Sequence, residues 1–246
     1  MNGLTLSLCL AAVGALFASV GQAGAPGYVA VMGLFGHGPA VIKPVALALT
    51  VLVATIGVVR FHSMQMLRWR DLWPFALLGV PFSVLGGLIN LPVATYRIVM
   101  SIILLGAAVQ MALSARKTAA LDQRALPEVP LVPAIITGGM IGLVAGATGI
   151  GGGIFTATIM MILGWAPTKR VAAVAQTSNL FTALPAFIAI WIAHPAMPAE
   201  LPGWALAAGL GGLLGAWLGA KYLPAKALRY MLAGILLASG LRLAFF

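Results

Sequence analysis

Two glycine clusters interrupt the apolar stretches of this sequence, one at residues 21–27 and one at residues 146–153. Glycine reaches positive φ angles and lets a ligand approach the backbone closely. A helix that restarts after such a break presents free N–H groups and a positive dipole end, which attract an anion. Helix packing is the alternative use of small residues in a membrane. The backbone groups that we predict bind an anion belong to Gly21, Gly24, Gly149, Gly151, Gly152 and Gly153.

A run of four polar residues, 176–179, lies inside an apolar stretch, and the matching stretch near residue 50 has a single threonine. Polar groups in a bilayer face a cavity or another helix. The run therefore either lines a site or hydrogen-bonds a neighbouring helix, and both alternatives stay open. The side chains that we predict contact a ligand are Gln22, Thr50, Gln176, Thr177, Ser178 and Asn179.

The sequence lacks the residue groupings of an enzyme or a metal site. The single cysteine cannot form an intramolecular disulfide or a dithiol pair, and the three histidines do not have the spacing of metal ligands. We therefore expect no catalytic residues, no metal and no cofactor. The four carboxylates are predicted in loops, which removes a carboxylate relay and favours an anionic substrate: Asp71, Asp122, Glu128 and Glu200.

The composition requires a membrane protein. Of the 246 residues, 62% are hydrophobic and 7% are charged, whereas soluble domains have about 25% charged residues. The apolar runs are continuous, so they predict membrane-spanning helices and not barrel strands. The net charge of +10 is assigned to loops that face anionic lipid, so no nucleic-acid partner is expected.

The sequence contains an internal repeat. At an offset of 128, glycines at 14, 21, 24 and 36 match glycines at 142, 149, 152 and 164, and the later part of the repeat matches at an offset of 132. We assign residues 1–120 to a first membrane repeat, 121–130 to a cytoplasmic loop and 131–246 to a second repeat. Rarer residue types also recur in order: Pro39/Pro167, Pro92/Pro224 and Arg97/Arg229.

Each repeat is predicted to contain five apolar segments, of which the first two form a broken or re-entrant hairpin before three transmembrane helices. The segments are 4–20, 27–36, 44–59, 72–91 and 95–115, then 131–148, 153–164, 171–193, 203–222 and 225–246. If each hairpin returns to its own side, 11 Lys and Arg residues share one side and 3 lie on the other; a single crossing gives 7 against 7. Positive residues concentrate in cytoplasmic loops, so we predict hairpins, inverted repeats and both termini on the periplasmic side.

The three basic residues predicted on the outer side, Lys43, Arg97 and Arg242, can attract an anion to that mouth or can extend to the interface as membrane anchors. For each residue taken alone, the anchor role is the more ordinary use.

Residues 142–153, followed by Gly164-Trp165-Ala166-Pro167 and an Ala/Thr/Ser-rich helix to Asn179, form a motif with a weaker copy from Gly14 to Pro39. With this motif, nearly the whole chain resembles the sulfite exporter TauE/SafE family of membrane permeases. The resemblance implies a transporter of small sulfur-containing anions, such as sulfite or sulfonates, in a bacterial inner membrane.

The sequence and the resemblance together predict a secondary transporter, in the direction of export, that works by alternating access around one site where the two breaks converge. An anion channel, or an importer of another sulfur oxyanion such as thiosulfate, is the alternative. The expected partners are a small anionic substrate and membrane lipid, and a homodimer is compatible with the sequence.

Overall fold

The chain folds into helices joined by short connections. The computed structural model describes residues 3–63, 65, 68–117, 129–195, 197–222 and 225–245. Within them, ten helices run in chain order: α1 (Gly3–Ser19), α2 (Ala25–Leu34), α3 (Pro39–Ser63), α4 (Trp69–Leu88), α5 (Val93–Lys117), α6 (Leu131–Thr148), α7 (Gly153–Leu163), α8 (Thr168–Ala193), α9 (Leu201–Tyr222) and α10 (Ala225–Phe245).

The prediction of an all-helical membrane protein is confirmed. Each predicted apolar segment corresponds to one helix, and within the described ranges six helices are long and apolar enough to cross a membrane: α3, α4, α5, α6, α8 and α10. The backbone of such helices satisfies its own hydrogen bonds, as a lipid environment requires. The shorter apolar helices include both arms of the first break, α1 and α2, and the second arm of the other break, α7.

Both helix breaks occur at the predicted glycine clusters. Gly21 and Gly24 have φ angles of 81° and 85° between α1 and α2, and Gly149 and Gly151 have φ angles of 83° and 74° between α6 and α7. Side chains other than glycine are strained in this left-handed region, so glycine permits the chain to turn here. We call α1 with α2 the first hairpin and α6 with α7 the second hairpin.

The first arm of each hairpin packs against a helix of the other half, α1 on α9 and α6 on α4. These pairs touch through their backbones: a Cβ added at Gly142 would collide with the carbonyl oxygen of Gly79, and one at Gly211 with that of Ala11. Small residues permit this close approach where lipid offers no hydrophobic driving force. Helix packing is therefore the use of these glycines, and the two halves interlock.

The tips of the two hairpins lie near opposite ends of α3. A Cβ at Gly149 would lie 3.0 Å from Lys43 Cα, one turn into α3, whereas a Cβ at Gly21 would lie 3.3 Å from Phe61 Cζ, near the end of α3. The 18 residues between these contacts span about 27 Å of helix at about 1.5 Å per residue. Gly21 and Gly149 therefore do not meet at one point, whereas the sequence had predicted that the two breaks converge.

One loop assignment was wrong. Asp71 lies in the first turn of α4, is buried, and pairs with Arg170 at 3.6 Å between Oδ2 and Nη1. An acidic residue is stabilised at a helix N-terminus by the positive dipole end. Asp122 and Glu128 lie outside the described residues.

Candidate substrate-binding site

Three of the predicted site residues meet near the middle of α3 and α8. A Cβ added at Gly151 would lie 2.8 Å from Asn179 Oδ1 and 3.4 Å from Thr50 Cγ2. The second break thus passes between these two side chains, and both are almost fully buried, with exposed fractions of 0% for Thr50 and 5% for Asn179. Gln176 lies one turn before Asn179 on α8. We call Thr50, Gly151, Gln176 and Asn179 the central polar cluster.

The N-terminus of α7, which the sequence predicts to bind an anion, is already capped by side chains. The N–H of Gly153 donates to Asn179 Oδ1 at 2.6 Å, and the N–H of Gly152 donates to Thr182 Oγ1 at 2.8 Å. These bonds satisfy two of the N–H groups that every helix leaves open at its start. The prediction that both groups bind the ligand directly is therefore corrected, although the dipole of α7 still points at the cluster.

The polar run on α8 points in several directions, as four successive helical residues must. Gln176 Nε2 donates to Val53 O on α3 at 3.3 Å, and Ser178 Oγ lies 2.9 Å from Thr156 Oγ1 on α7. Thr177 Oγ1 donates to Ala173 O of its own helix at 2.8 Å. Thr177 therefore faces its own helix backbone, while its neighbours link α8 to α3 and α7.

Five buried polar atoms have no hydrogen-bond partner within the described residues: Tyr28 Oη, Thr50 Oγ1, Asp71 Oδ2, Gln110 Oε1 and Gln176 Oε1. Asp71 forms an ion pair with Arg170, and Gln110 lines a separate cavity. Buried polar groups almost always find a partner. The hydroxyl groups of Tyr28 and Thr50 and the amide oxygen of Gln176 are therefore the candidates for hydrogen bonds to a polar ligand.

The Tyr28 and Thr50 hydroxyl groups differ from the residues that match them in the repeat. At the offset of 128, Tyr28 corresponds to Thr156 and Thr50 corresponds to Ser178. The second-half pair is hydrogen-bonded at 2.9 Å, whereas both first-half hydroxyls lack partners within the described residues. Tyr28 was not predicted as a site residue, and its repeat position opposite a polar residue was the signal that could have found it.

The residues of the first break are divided between two places. Gly24 packs on Tyr28, whose Cζ would lie 3.1 Å from a Cβ at Gly24. Gly21 and Gln22 instead line a separate cavity of about 30 Å³, together with Gln110 and Arg229. About one water molecule occupies such a volume, so this cavity, called the Gln22 cavity below, is too small for an oxyanion as it stands.

Lys43 does not serve as a free cation. Its Nζ donates to the carbonyl oxygens of Gly86, Gly87 and Ile89 at 3.3, 2.7 and 2.8 Å, where α4 ends. These three bonds use all three N–H donors of an ammonium group. Cations near a helix C-terminus satisfy its open carbonyl groups. Lys43 therefore caps α4 beside the tip of the second hairpin and also lines a cavity of about 640 Å³.

Comparison with known proteins identifies the family. The family described as Sulfite exporter TauE/SafE matches residues 6–243. The chain belongs to the TauE/SafE family. A curated relative, the probable membrane transporter protein y4hK of Sinorhizobium fredii (strain NBRC 101917 / NGR234), is 41% identical over 242 residues, which cover 98% of each chain. Among solved structures there is no significant match.

Membership in the TauE/SafE family and the apolar helices together indicate a multi-pass membrane transporter that moves a small molecule. The resemblance inferred from the glycine motif is thereby confirmed over nearly the whole chain. A transporter needs binding groups and discontinuous helices, and the TauE/SafE protein described here has a buried polar cluster beside its second helix break.

Proposed function

We propose that this protein exports small sulfur-containing anions, such as sulfite or organosulfonates, across the bacterial inner membrane. The observation that carries the proposal is two buried hydroxyl groups that lack a hydrogen-bond partner in the described part of the chain, that of Thr50 in the central polar cluster and that of Tyr28 on α2. Oxyanions accept hydrogen bonds from such donors, and bonds to a charged acceptor are about twice as strong as neutral ones.

The free acceptor refines the class of anion. Gln176 Oε1 accepts a hydrogen bond, so it pairs with a ligand that carries an O–H or N–H group. Hydrogensulfite and an aminosulfonate each combine sulfur-bound oxygens with such a donor. The α7 dipole adds a favourable field for the negative end of the ligand.

The transport cycle that we propose is alternating access between two inverted repeats, with both termini on the periplasmic side. Support comes from the hairpin tips at opposite ends of α3 and from the interlocked pairs α1 with α9 and α6 with α4. Inverted repeats with discontinuous helices are a recurrent transporter architecture in which one unit rocks against the other.

The test is sulfite flux in proteoliposomes that contain the full chain. Thr50→Val and Tyr28→Phe remove one hydroxyl each while keeping the side-chain shape. Loss of one hydrogen bond of about 1.4 kcal/mol lowers affinity about tenfold. Thr177→Val is the matched control, because its hydroxyl bonds its own helix.

We expect half-saturation by sulfite to rise about tenfold in Thr50→Val and Tyr28→Phe and to stay unchanged in Thr177→Val. An unchanged half-saturating sulfite concentration in all three variants would mean that the two hydroxyl groups do not bind sulfite. Flux that never saturates would assign a channel. Saturable uptake of thiosulfate that exceeds flux of sulfite would assign an importer instead.

A further inference from the structure

A third cavity, distinct from the central polar cluster, lies where α2, α3, α5 and α10 meet. It has a volume of about 340 Å³, and its lining includes Arg97, Arg242 and His37. None of the residues that line it is an Asp or a Glu. We call it the arginine cavity. Two permanent positive charges thus border a space large enough for a small oxyanion with water.

Neither arginine is fully engaged by the described residues of the chain. Arg242 Nη1 donates to the carbonyl oxygen of Leu34, the last residue of α2, at a long distance of 3.4 Å. A guanidinium has five N–H donors, so most of those on Arg242 are left for other acceptors. Arg97 makes no hydrogen bond or ion pair with the part of the chain that the structure describes. The contrast is with Lys43, whose three donors are all used.

The repeat places an equivalent cavity in the other half. The arginine cavity and the Gln22 cavity are lined by repeat-equivalent residues, at offsets of 128 and 132: Val29/Ala157, Gly33/Met161, Arg97/Arg229, Arg242/Gln110 and Leu243/Met111. The position is therefore duplicated by the repeat.

The two copies differ in charge and in size. The arginine cavity has a second arginine, Arg242, where the Gln22 cavity has Gln110. Its volume is about 340 Å³, whereas that of the Gln22 cavity is about 30 Å³. In the small copy, Arg229 Nη1 donates to Ser114 O at 2.9 Å. Of the two, the arginine cavity alone has both the volume for a small oxyanion and two guanidinium groups.

We propose that the arginine cavity is a second binding site, which holds a small oxyanion between Arg97 and Arg242. The planar guanidinium matches two oxygens of an oxyanion at once, which an ammonium cannot do. A free sulfur oxyanion and the phosphate of a lipid headgroup share this chemistry. The site includes no residue of the central polar cluster, so it stands independently of the proposed transport function.

The experiment measures binding of radiolabelled sulfite and sulfate to the purified full chain, in detergent and in phosphatidylcholine nanodiscs. Arg97→Gln and Arg242→Gln should each weaken one binding event at least tenfold. Arg97→Lys keeps the charge but loses the two-oxygen geometry, so it should fall between wild type and Arg97→Gln. Arg68→Gln, at an exposed arginine, is the matched control and should bind like wild type.

The two sites are distinguished by their variants. Thr50→Val should weaken the central site and leave the arginine site intact, so failure of one proposal is visible while the other survives. One outcome is sulfate binding that is present in detergent, absent in Arg97→Gln, and lost when the wild-type chain is placed in nanodiscs of the anionic lipid phosphatidylglycerol. That pattern would support the site and identify lipid phosphate as its occupant. Sulfite and sulfate binding that is identical in wild type, Arg97→Gln and Arg242→Gln, all with unchanged thermal unfolding, would overturn the proposal.

Discussion

The two hairpins have the same plan but are held in place by different forces. The second hairpin is held by hydrogen bonds: Tyr96 Oη donates to Thr148 O at the end of α6 at 2.9 Å, and beside the tip Lys43 links α3 to the end of α4. Asn179 and Thr182 cap the start of α7. Each of these bonds joins the hairpin, or the residue under its tip, to a different helix.

The four residues that match Lys43, Tyr96, Asn179 and Thr182 in the repeat are all apolar, so the first hairpin lacks the corresponding polar side chains. At offsets of 128 and 132 they are Val171, Leu228, Val51 and Ala54. Its two arms pack on each other through side chains: a Cβ at Gly27 would lie 2.6 Å from Phe17 Cε2 and from Val13 Cγ1, and Phe17 is fully buried.

This difference predicts which hairpin is the more mobile in the proposed transport cycle. Hydrogen bonds in a low-dielectric interior are strong and directional, so they select one geometry. Apolar surfaces in lipid gain little from burial and slide over one another more readily. We therefore expect the second hairpin to be a fixed support and the first hairpin to be the mobile element.

The largest effect should come from Lys43→Met. The substitution keeps an apolar chain of similar length but leaves three carbonyl groups at the end of α4 without their donor. We expect a loss of about 2–4 kcal/mol in the free energy of unfolding, because each unpaired buried group costs about 1–3 kcal/mol and some will hydrate.

The measurement is thermal unfolding of the purified protein in detergent, with hydrogen exchange at residues 149–156. Lys226→Met, at an exposed position in the first turn of α10, is the control and should change little. Equal unfolding temperatures for the two variants would mean that Lys43 does not hold the second hairpin, and the comparison would lose its main support.

A smaller effect is expected from Thr182→Val. This isosteric change removes the oxygen that accepts the Gly152 N–H, while the Thr177→Val control removes a hydroxyl that bonds its own helix. The first change should cost about 1–2 kcal/mol, since it leaves a buried N–H unpaired, and the control should cost less than about 0.5 kcal/mol. Hydrogen exchange at Gly152 checks the result, and similar rates in both variants would contradict the capping role.

The helices and the breaks could be predicted from the sequence because they depend on local properties. Apolar length defines a membrane segment, and dense glycine allows the positive φ angles seen at Gly21 and Gly149. Asp71 escaped the prediction because the apolar segment begins at Leu72, whereas the helix begins three residues before Leu72, at Trp69. The charged first turn of a helix carries no apolar signal.

The parts of the site that were not predicted depend on contacts between residues distant in the chain. Lys43 contacts carbonyl groups more than 40 residues away, and Tyr96 contacts one 52 residues away. Backbone carbonyl groups have no sequence signature, so a lysine that caps a helix looks the same as one that attracts an anion. Comparing the polarity of repeat-equivalent residues was the available signal, and it would have singled out Tyr28 with Thr156.

The smallest effect is expected from Tyr96→Phe, and it separates stability from motion. The change removes one hydroxyl and leaves Thr148 O without its donor, so the free energy of unfolding should fall by about 1 kcal/mol. Tyr230→Phe, at a position with 39% exposure on α10, should leave it unchanged. Hydrogen exchange at residues 149–151 should rise in Tyr96→Phe alone. If the second hairpin is the fixed support, loosening it should also lower the sulfite transport rate, because the mobile hairpin would then have nothing rigid to move against. A transport rate that rises instead would mean that release of the second hairpin limits the cycle, which would exchange the roles of the two hairpins.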